Sequence, residues 1–163
     1  MVLHSCKRKE KTMRRSDKEI KDFREIDALL QAAPVCRIAM ASGGHPYIVP
    51  VNFAVNGGHL YFHSAKSGQK IDMLRDNASV CFEVDMPGVL VRGEKACAWG
   101  MKYKSVIGFG QAYFIEEAGE KRKALDILMK KYSGRDSFDY DDALDKVCTI
   151  GVRIETLSGK ESG

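Results

Sequence analysis

The chain has 163 residues, 44% hydrophobic and 29% charged, which suits one soluble globular domain with a real core. No apolar run approaches the roughly 20 residues that cross a bilayer, and the basic N-terminus lacks the apolar segment of a secretory signal, so cytoplasmic residence is expected. The net charge of +4 is uneven: Lys7, Arg8, Lys9, Lys11, Arg14 and Arg15 oppose Glu10 alone within residues 1–15. The rest of the chain is close to neutral, which argues against a broad nucleic-acid face.

Residues 1–15 read as a disordered basic arm and residues 16–163 as a single domain. Five cysteines, Cys6, Cys36, Cys81, Cys97 and Cys148, make an odd number with no Cys-x-x-Cys pair. That pattern fits a reducing compartment better than a disulfide framework, and it offers no zinc-ligand spacing.

Ser16 with Glu19 three residues later has the capping-box spacing. Ile20, Phe23, Ile26, Leu29 and Leu30 then recur at helical spacing, predicting an amphipathic helix over residues 17–31 that covers one opening of a barrel and stops at Pro34. Residues 35–41 read as a strand, Gly43-Gly44 as a turn, and residues 46–55 as the next strand. Pro50 has no N–H to give a ladder, so it belongs at an edge or a bulge.

Asn56-Gly57-Gly58 signals a tight hairpin, with residues 59–63 returning. A polar loop, residues 64–70, opens a short helix over residues 69–75. Helix-start N–H groups lack internal partners and carry partial positive charge. With Ser64, Ser67, Lys66 and Lys70 beside them, the corner suits a phosphate. The plain alternative is that Ser67 caps the helix and the lysines are solvated; the spacing is not that of a P-loop.

Residues 78–85 read as a further strand and residues 86–98 as an extended loop, with a short strand at residues 89–91. Trp99, the sole tryptophan, suits core or an interface. Residues 102–115 form a long strand, bent at Gly108 or Gly110, with Tyr103, Ser105, Ile107 and Phe109 on one face. A helix over residues 117–132, a short helix over 141–146 and a last strand over 147–156 complete the chain. About six strands with helices at the edges favour a mainly β barrel over a parallel βαβ sheet.

The usual catalytic sets are missing. No Gly-x-Ser-x-Gly elbow, His-Glu-x-x-His or Gly-x-Gly-x-x-Gly occurs, and no carboxylate pair announces a hydrolase. Chemistry would have to come from a bound cofactor.

The hairpin followed by His63-Ser64-Ala65-Lys66-Ser67-Gly68-Gln69-Lys70 resembles the FMN-binding split barrels of the pyridoxamine 5'-phosphate oxidase-like superfamily. Lys102-Tyr103-Lys104-Ser105-Val106-Ile107-Gly108-Phe109-Gly110 and Ser158-Gly159-Lys160-Glu161 narrow the resemblance to the 5-nitroimidazole resistance (Nim) branch. It implies a six-stranded antiparallel split β-barrel, a homodimer with FMN at the subunit interface, and a small FMN-dependent oxidoreductase acting on nitroaromatic or related electrophiles. It places the isoalloxazine against Tyr47, Ile48, Val49, Pro50, Val51 and Asn52. Ser64, Ser67 and Lys70 would hold the phosphate, with Phe62 and His63 flanking it. Tyr103, Lys104 and Ser105 would reach the cofactor, and His63 is the candidate catalytic proton donor; its simpler role is a hydrogen bond to the cofactor.

Tyr47 stands where the true pyridoxamine-phosphate oxidases carry an arginine, which argues against that substrate. The other readings are a non-enzymatic flavin- or haem-binding protein, with His63 or Cys97 as an axial ligand, a pyridoxamine-phosphate-oxidase-like enzyme of other substrate, and a cofactor-free interaction module.

Overall fold

A computed structural model describes residues 7–8, 14–140 and 143–163. The elements run β1 (Lys7–Arg8), β2 (Glu19–Ile20), α1 (Phe23–Ala32), β3 (Cys36–Ser42), β4 (His45–Val51), β5 (Ala54–Asn56) and β6 (His59–Ser64). Then come α2 (Gln69–Asp76), β7 (Ser79–Asp85), β8 (Val89–Val91), β9 (Gly100–Ile115), α3 (Ala118–Ser133), α4 (Ala143–Lys146) and β10 (Cys148–Ser162). Six strands have six or more residues and build an antiparallel barrel in the order β4-β3-β7-β9-β10-β6, with the short β5 beyond β6. Of the other short strands, β1 and β2 pair with β10, and β8 folds back on β9.

Two turns have the same cause. Ser42 pairs with His45 and Asn56 with His59, so each hairpin loop is two glycines. All four have positive φ, at 55° and 80° for Gly43 and Gly44 and at 60° and 82° for Gly57 and Gly58. Such a pair matches the right-handed twist of the strands it joins.

The barrel is split between β4 and β5, which are consecutive in the chain yet lie at opposite ends of the strand order. The expected single strand over residues 46–55 therefore divides: residues 52–53 carry the chain across the split, outside any ladder. Backbone groups exposed there need partners, and α3 supplies one. The Tyr132 hydroxyl accepts from the Phe53 N–H (2.9 Å) and shares its proton between the carbonyls of Pro34 (2.8 Å) and Phe53 (3.2 Å). The Lys131 Nζ sits 3.4 Å from the centre of the buried Phe53 ring and donates to the Leu30 carbonyl (2.9 Å). Burial pushes this ammonium down to about 8; the ring face offsets part of that cost. Pro50 lies on β4, an edge strand, as a proline in a strand should.

The core is continuous. Ile38, Phe53, Leu60, Phe62, Phe82, Val106, Ile150 and Val152 are fully buried inside the barrel. α1 adds Ile26, Leu29 and Leu30, and α2 adds Ile71, Met73 and Leu74, so helices cover the core as the amphipathic spacing of α1 predicts. α1 begins later than predicted. Ser16–Lys18 is a single 3-10 turn, and Glu19–Ile20 pairs with Lys160 and Gly159 of β10. Asp22 is the cap, its carboxylate accepting from the Arg24 N–H. Packing won over spacing here. Ile20 is buried against Gly159, where a Cβ would come within 2.9 Å of the Ile20 Cβ.

The last strand is longer than predicted and ends at Ser162, because residues 156–162 pair with residues 103–109 of β9. The sequence expects a bend of β9 at Gly108 or Gly110; the irregularity found opposite these residues is an extra residue on β10, while β9 runs unbroken. Register slips between Ile154 and Thr156, opposite Gly110 and Phe109. The loop over residues 86–98 does contain the short strand at Val89–Val91. Trp99 is about half exposed, outside the core. Of the N-terminal arm, Lys7–Arg8 pair with Thr156 and Leu157, and Arg15 forms an ion pair with Asp17; residues 1–6 and 9–13 lie outside those described.

Cys36, Cys97 and Cys148 are free thiols. Cys36 is fully buried, and burial pushes it up to about 12, which makes it inert at neutral pH.

Gly108 pairs with Phe82, whose ring fills the space a side chain would take: a Cβ would lie 2.1 Å from the ring. Because Phe82 is fully buried, it has nowhere to go. Gly108→Ala should therefore cost about 1–3 kcal/mol in denaturant melts. Gly100→Ala, where nothing lies within 4 Å, should change stability far less.

Candidate functional site

The β5–β6 hairpin delivers His63 and Ser64 to the start of α2. Gly68 stands at the junction with φ +117°, a backbone state that side chains resist, and α2 starts immediately after it. The predicted cap is corrected here. Ser67 does not cap the helix; Gly68 is the N-cap and has no side chain to offer. The leading N–H groups of α2 are thus left open, and the Ser67 hydroxyl is exposed beside them.

Lys70 is half-buried. Its Nζ donates to the Ser64 Oγ (3.1 Å) and lies 5.9 Å from the centre of the Phe62 ring. Burial lowers its pKa. Among the described residues no carboxylate pairs with it. His63, on the outer face of β6, is also lowered, first by burial and then by the Lys70 charge. Across the ladder His63 pairs with Thr149 and Ser64 with Cys148. Thr149 is almost fully buried and its hydroxyl has no partner among the described residues, an orphan polar atom on the strand beside the corner. A half-buried ammonium without a counter-ion, a free serine hydroxyl and open helix N–H groups form a donor set for an anion.

The structure gathers Phe62, His63, Ser64, Ser67 and Lys70 at this corner. The other sequence-derived residues lie elsewhere on the barrel. In β4, Val51 is buried, Tyr47 and Val49 pack partly into the core, and Ile48 and Pro50 face outward; Asn52 is exposed at the split. Ile48 is 60% exposed and pairs with Ala39, whose other neighbour Cys81 pairs with Phe109. With Ile107 alongside, that row makes an apolar outer face.

Tyr103, Lys104 and Ser105 pair with Ser162, Glu161 and Lys160. The level of His63 on β9 is Ile115, reached through Thr149. Ten residues of strand, up to about 33 Å, separate Ser105 from that level. Lys104 is engaged in ion pairs with Glu25 and Glu161. Within one chain these three residues do not converge on the corner. The sequence reading missed Thr149 and Cys148, which only strand pairing brings to the site.

Comparison with known proteins agrees with this architecture. A profile of the pyridoxamine 5'-phosphate oxidase family matches residues 22–161, which takes in the barrel and the corner together. The chain belongs to that family. A solved structure described as a proposed 5-nitroimidazole antibiotic resistance protein from Bacteroides thetaiotaomicron is 34% identical, with a TM-score of 0.79 over 88% of this chain and 86% of that one. A FAD- and heme-binding protein from Mycobacterium smegmatis has the same fold at 22% identity, with a TM-score of 0.78 over 89% of this chain and 73% of that one. The uncharacterized protein RA0666 of Rhizobium meliloti is 37% identical over 60 residues, only 37% of this chain and 39% of that protein. No helix among the described residues of this family member is long and apolar enough to cross a membrane.

The coupling between Lys70 and His63 is measurable. In protein free of bound ligand, the His63 imidazole should titrate below the ordinary histidine range, and Lys70→Met should raise its pKa by removing the neighbouring positive charge. An NMR titration of the imidazole resonances reads this directly.

Proposed function

We propose that the protein is a flavin-dependent oxidoreductase of the Nim type, with FMN phosphate held at the β6–α2 corner. The observation that carries this reading is Lys70, a half-buried ammonium with Ser64 as its partner and no carboxylate among the described residues to neutralise it. A phosphate supplies that counter-charge. The set fits the group: Ser64, Ser67 and the first N–H groups of α2 bind its oxygens, while Lys70 neutralises them. Bound there, FMN would supply hydride or electron transfer.

The cofactor ring would lie along β4, against Tyr47, Ile48, Val49, Pro50, Val51 and Asn52. The separation of Tyr103, Lys104 and Ser105 from the corner favours a homodimer, in which these residues of one subunit serve the corner of the other. The exposed Ile48, Ile107 and Phe109 offer an apolar face for that contact.

His63 stands beside the phosphate position. In the free protein its lowered pKa keeps it neutral at pH 7. A bound anion raises it toward the imidazolium form, which can give a proton to a reduced acceptor. Nitroaromatic compounds and related electrophiles are the proposed substrate class.

Ser64→Ala with Lys70→Ala should weaken FMN binding by about 100-fold or more while the circular dichroism spectrum stays unchanged, since two phosphate contacts, one of them charged, are lost. Full flavin stoichiometry in the double variant would remove the phosphate assignment.

His63→Ala should bind flavin yet consume a nitroimidazole about 100-fold more slowly in anaerobic single-turnover assays after photoreduction. The unaltered protein should react faster as pH falls through the His63 pKa. An unchanged rate and a flat profile would leave His63 no part in proton transfer.

A further inference from the structure

A cavity lies on the outer face of the barrel, under the N-terminal half of α3. Its volume is about 400 Å³, and its lining includes Tyr61, Tyr113 and Ile115 from the strands, Glu116 from the loop that follows β9, and Glu117 and Glu120 from the cap and first turn of α3. Nothing in the flavin reading uses it.

The aromatic wall is built into the sheet. Tyr61, Gly151 and Tyr113 form one row across β6, β10 and β9. Gly151 leaves its place to the Tyr113 ring: a Cβ there would lie 2.3 Å from the Tyr113 Cζ. The Tyr113 hydroxyl is 2.9 Å from the His59 Nδ1, and His59 stacks beside Tyr61 with ring centres 6.1 Å apart. Burial first, then Tyr61 and the Glu120 charge, push the Tyr113 phenol up to about 12, so it stays protonated while hydrogen-bonded to His59. Burial, then the Arg153 charge, lowers the His59 pKa. The phenol ends are tied down, and the rings stand next to carboxylates.

The charge around the rings is negative. Glu117 caps α3, accepting from the N–H groups of Gly119 (2.9 Å) and Glu120 (2.7 Å), and stays ionised because those bonds lower its pKa. Glu120 pairs with Lys123 (2.7 Å). Glu116 has no cationic partner among the described residues. Three carboxylates therefore face one lysine, beside two tyrosine rings and apolar Ile115 and Ile127. Ring faces and carboxylates both attract cations, and the apolar lining accepts a hydrocarbon body.

We propose that this cavity binds a small organic ammonium ion, its charged head between Glu116 and the Tyr61 and Tyr113 rings and its apolar body against Ile115 and Ile127. The site adjoins the β6–α2 corner without sharing its residues: Tyr61 stands two residues before His63 on the same face of β6, about 7 Å away, and Ile115 lies two strands from His63, about 10 Å.

The test compares benzylamine, a cation at pH 7, with benzyl alcohol, its neutral counterpart of the same shape, by calorimetry on the purified protein with its bound flavin. Benzylamine should bind and benzyl alcohol should bind at least about five-fold more weakly. Glu116→Gln and, separately, Tyr61→Leu should each weaken benzylamine about three- to ten-fold and leave flavin content unchanged. Glu116 is an exposed loop residue, so its variant keeps the test open if Tyr61→Leu fails to fold. Equal binding of the two probes, no binding of benzylamine up to about 10 mM, or unaltered affinity in Glu116→Gln would each overturn the proposal. A protein without flavin that still discriminates the probes would sink the corner reading and leave this one standing.

Discussion

The ladder between β9 and β10 governs the rest of the molecule. These strands have 16 and 15 residues and stay paired from Thr149 opposite Ile115 to Ser162 opposite Tyr103. One end carries the β6–α2 corner and the α3 cavity. The other carries Tyr103, Ser105 and the ion pairs of Lys104. A strand cannot shorten, so whatever lies at one end is held far from the other. The bulge at Glu155 and the small residues Gly108 and Gly110 let this long pair curl into a barrel rather than run flat.

Closure of the barrel is achieved by covalent continuity rather than by hydrogen bonds. Residues 52–53 cross the split, and Tyr132 satisfies the Phe53 backbone that a ladder would otherwise have served. α3 therefore does two things. Its C-terminal half seals the split with Lys131 and Tyr132, and its N-terminal half roofs the tyrosine-lined cavity. Leaving residues 52–53 outside the ladder also leaves Asn52 exposed beside the β4 stretch.

At the β6–α2 corner the controlling term is charge. Desolvation lowers both Lys70 and His63, and the Lys70 charge lowers His63 further. In such a site an arriving anion gains by neutralising an ammonium already removed from much of its water, and the same event raises the histidine. On the proposed reading, binding and proton availability are thereby linked at one place. The outer face around Ile48 and Ile107 exposes large apolar side chains, which suits the homodimer proposed above.

Local chemistry made much of this legible in the chain itself. The glycine pairs specify both hairpin turns because few other residues adopt positive φ, and Pro50 demands an edge because it has no N–H. The serine–glycine–lysine run marks a helix start with anion-binding groups, and the apolar period of α1 defines its buried face. Tertiary structure decided what depends on distant partners. It moved the start of α1 to Asp22, since Ile20 buries against Gly159 only when the ends of the domain meet. It broke the 46–55 strand at the split and extended β10 to Ser162. It set Thr149 beside His63 and Tyr61 beside Tyr113, contacts made by strand register and invisible in linear spacing.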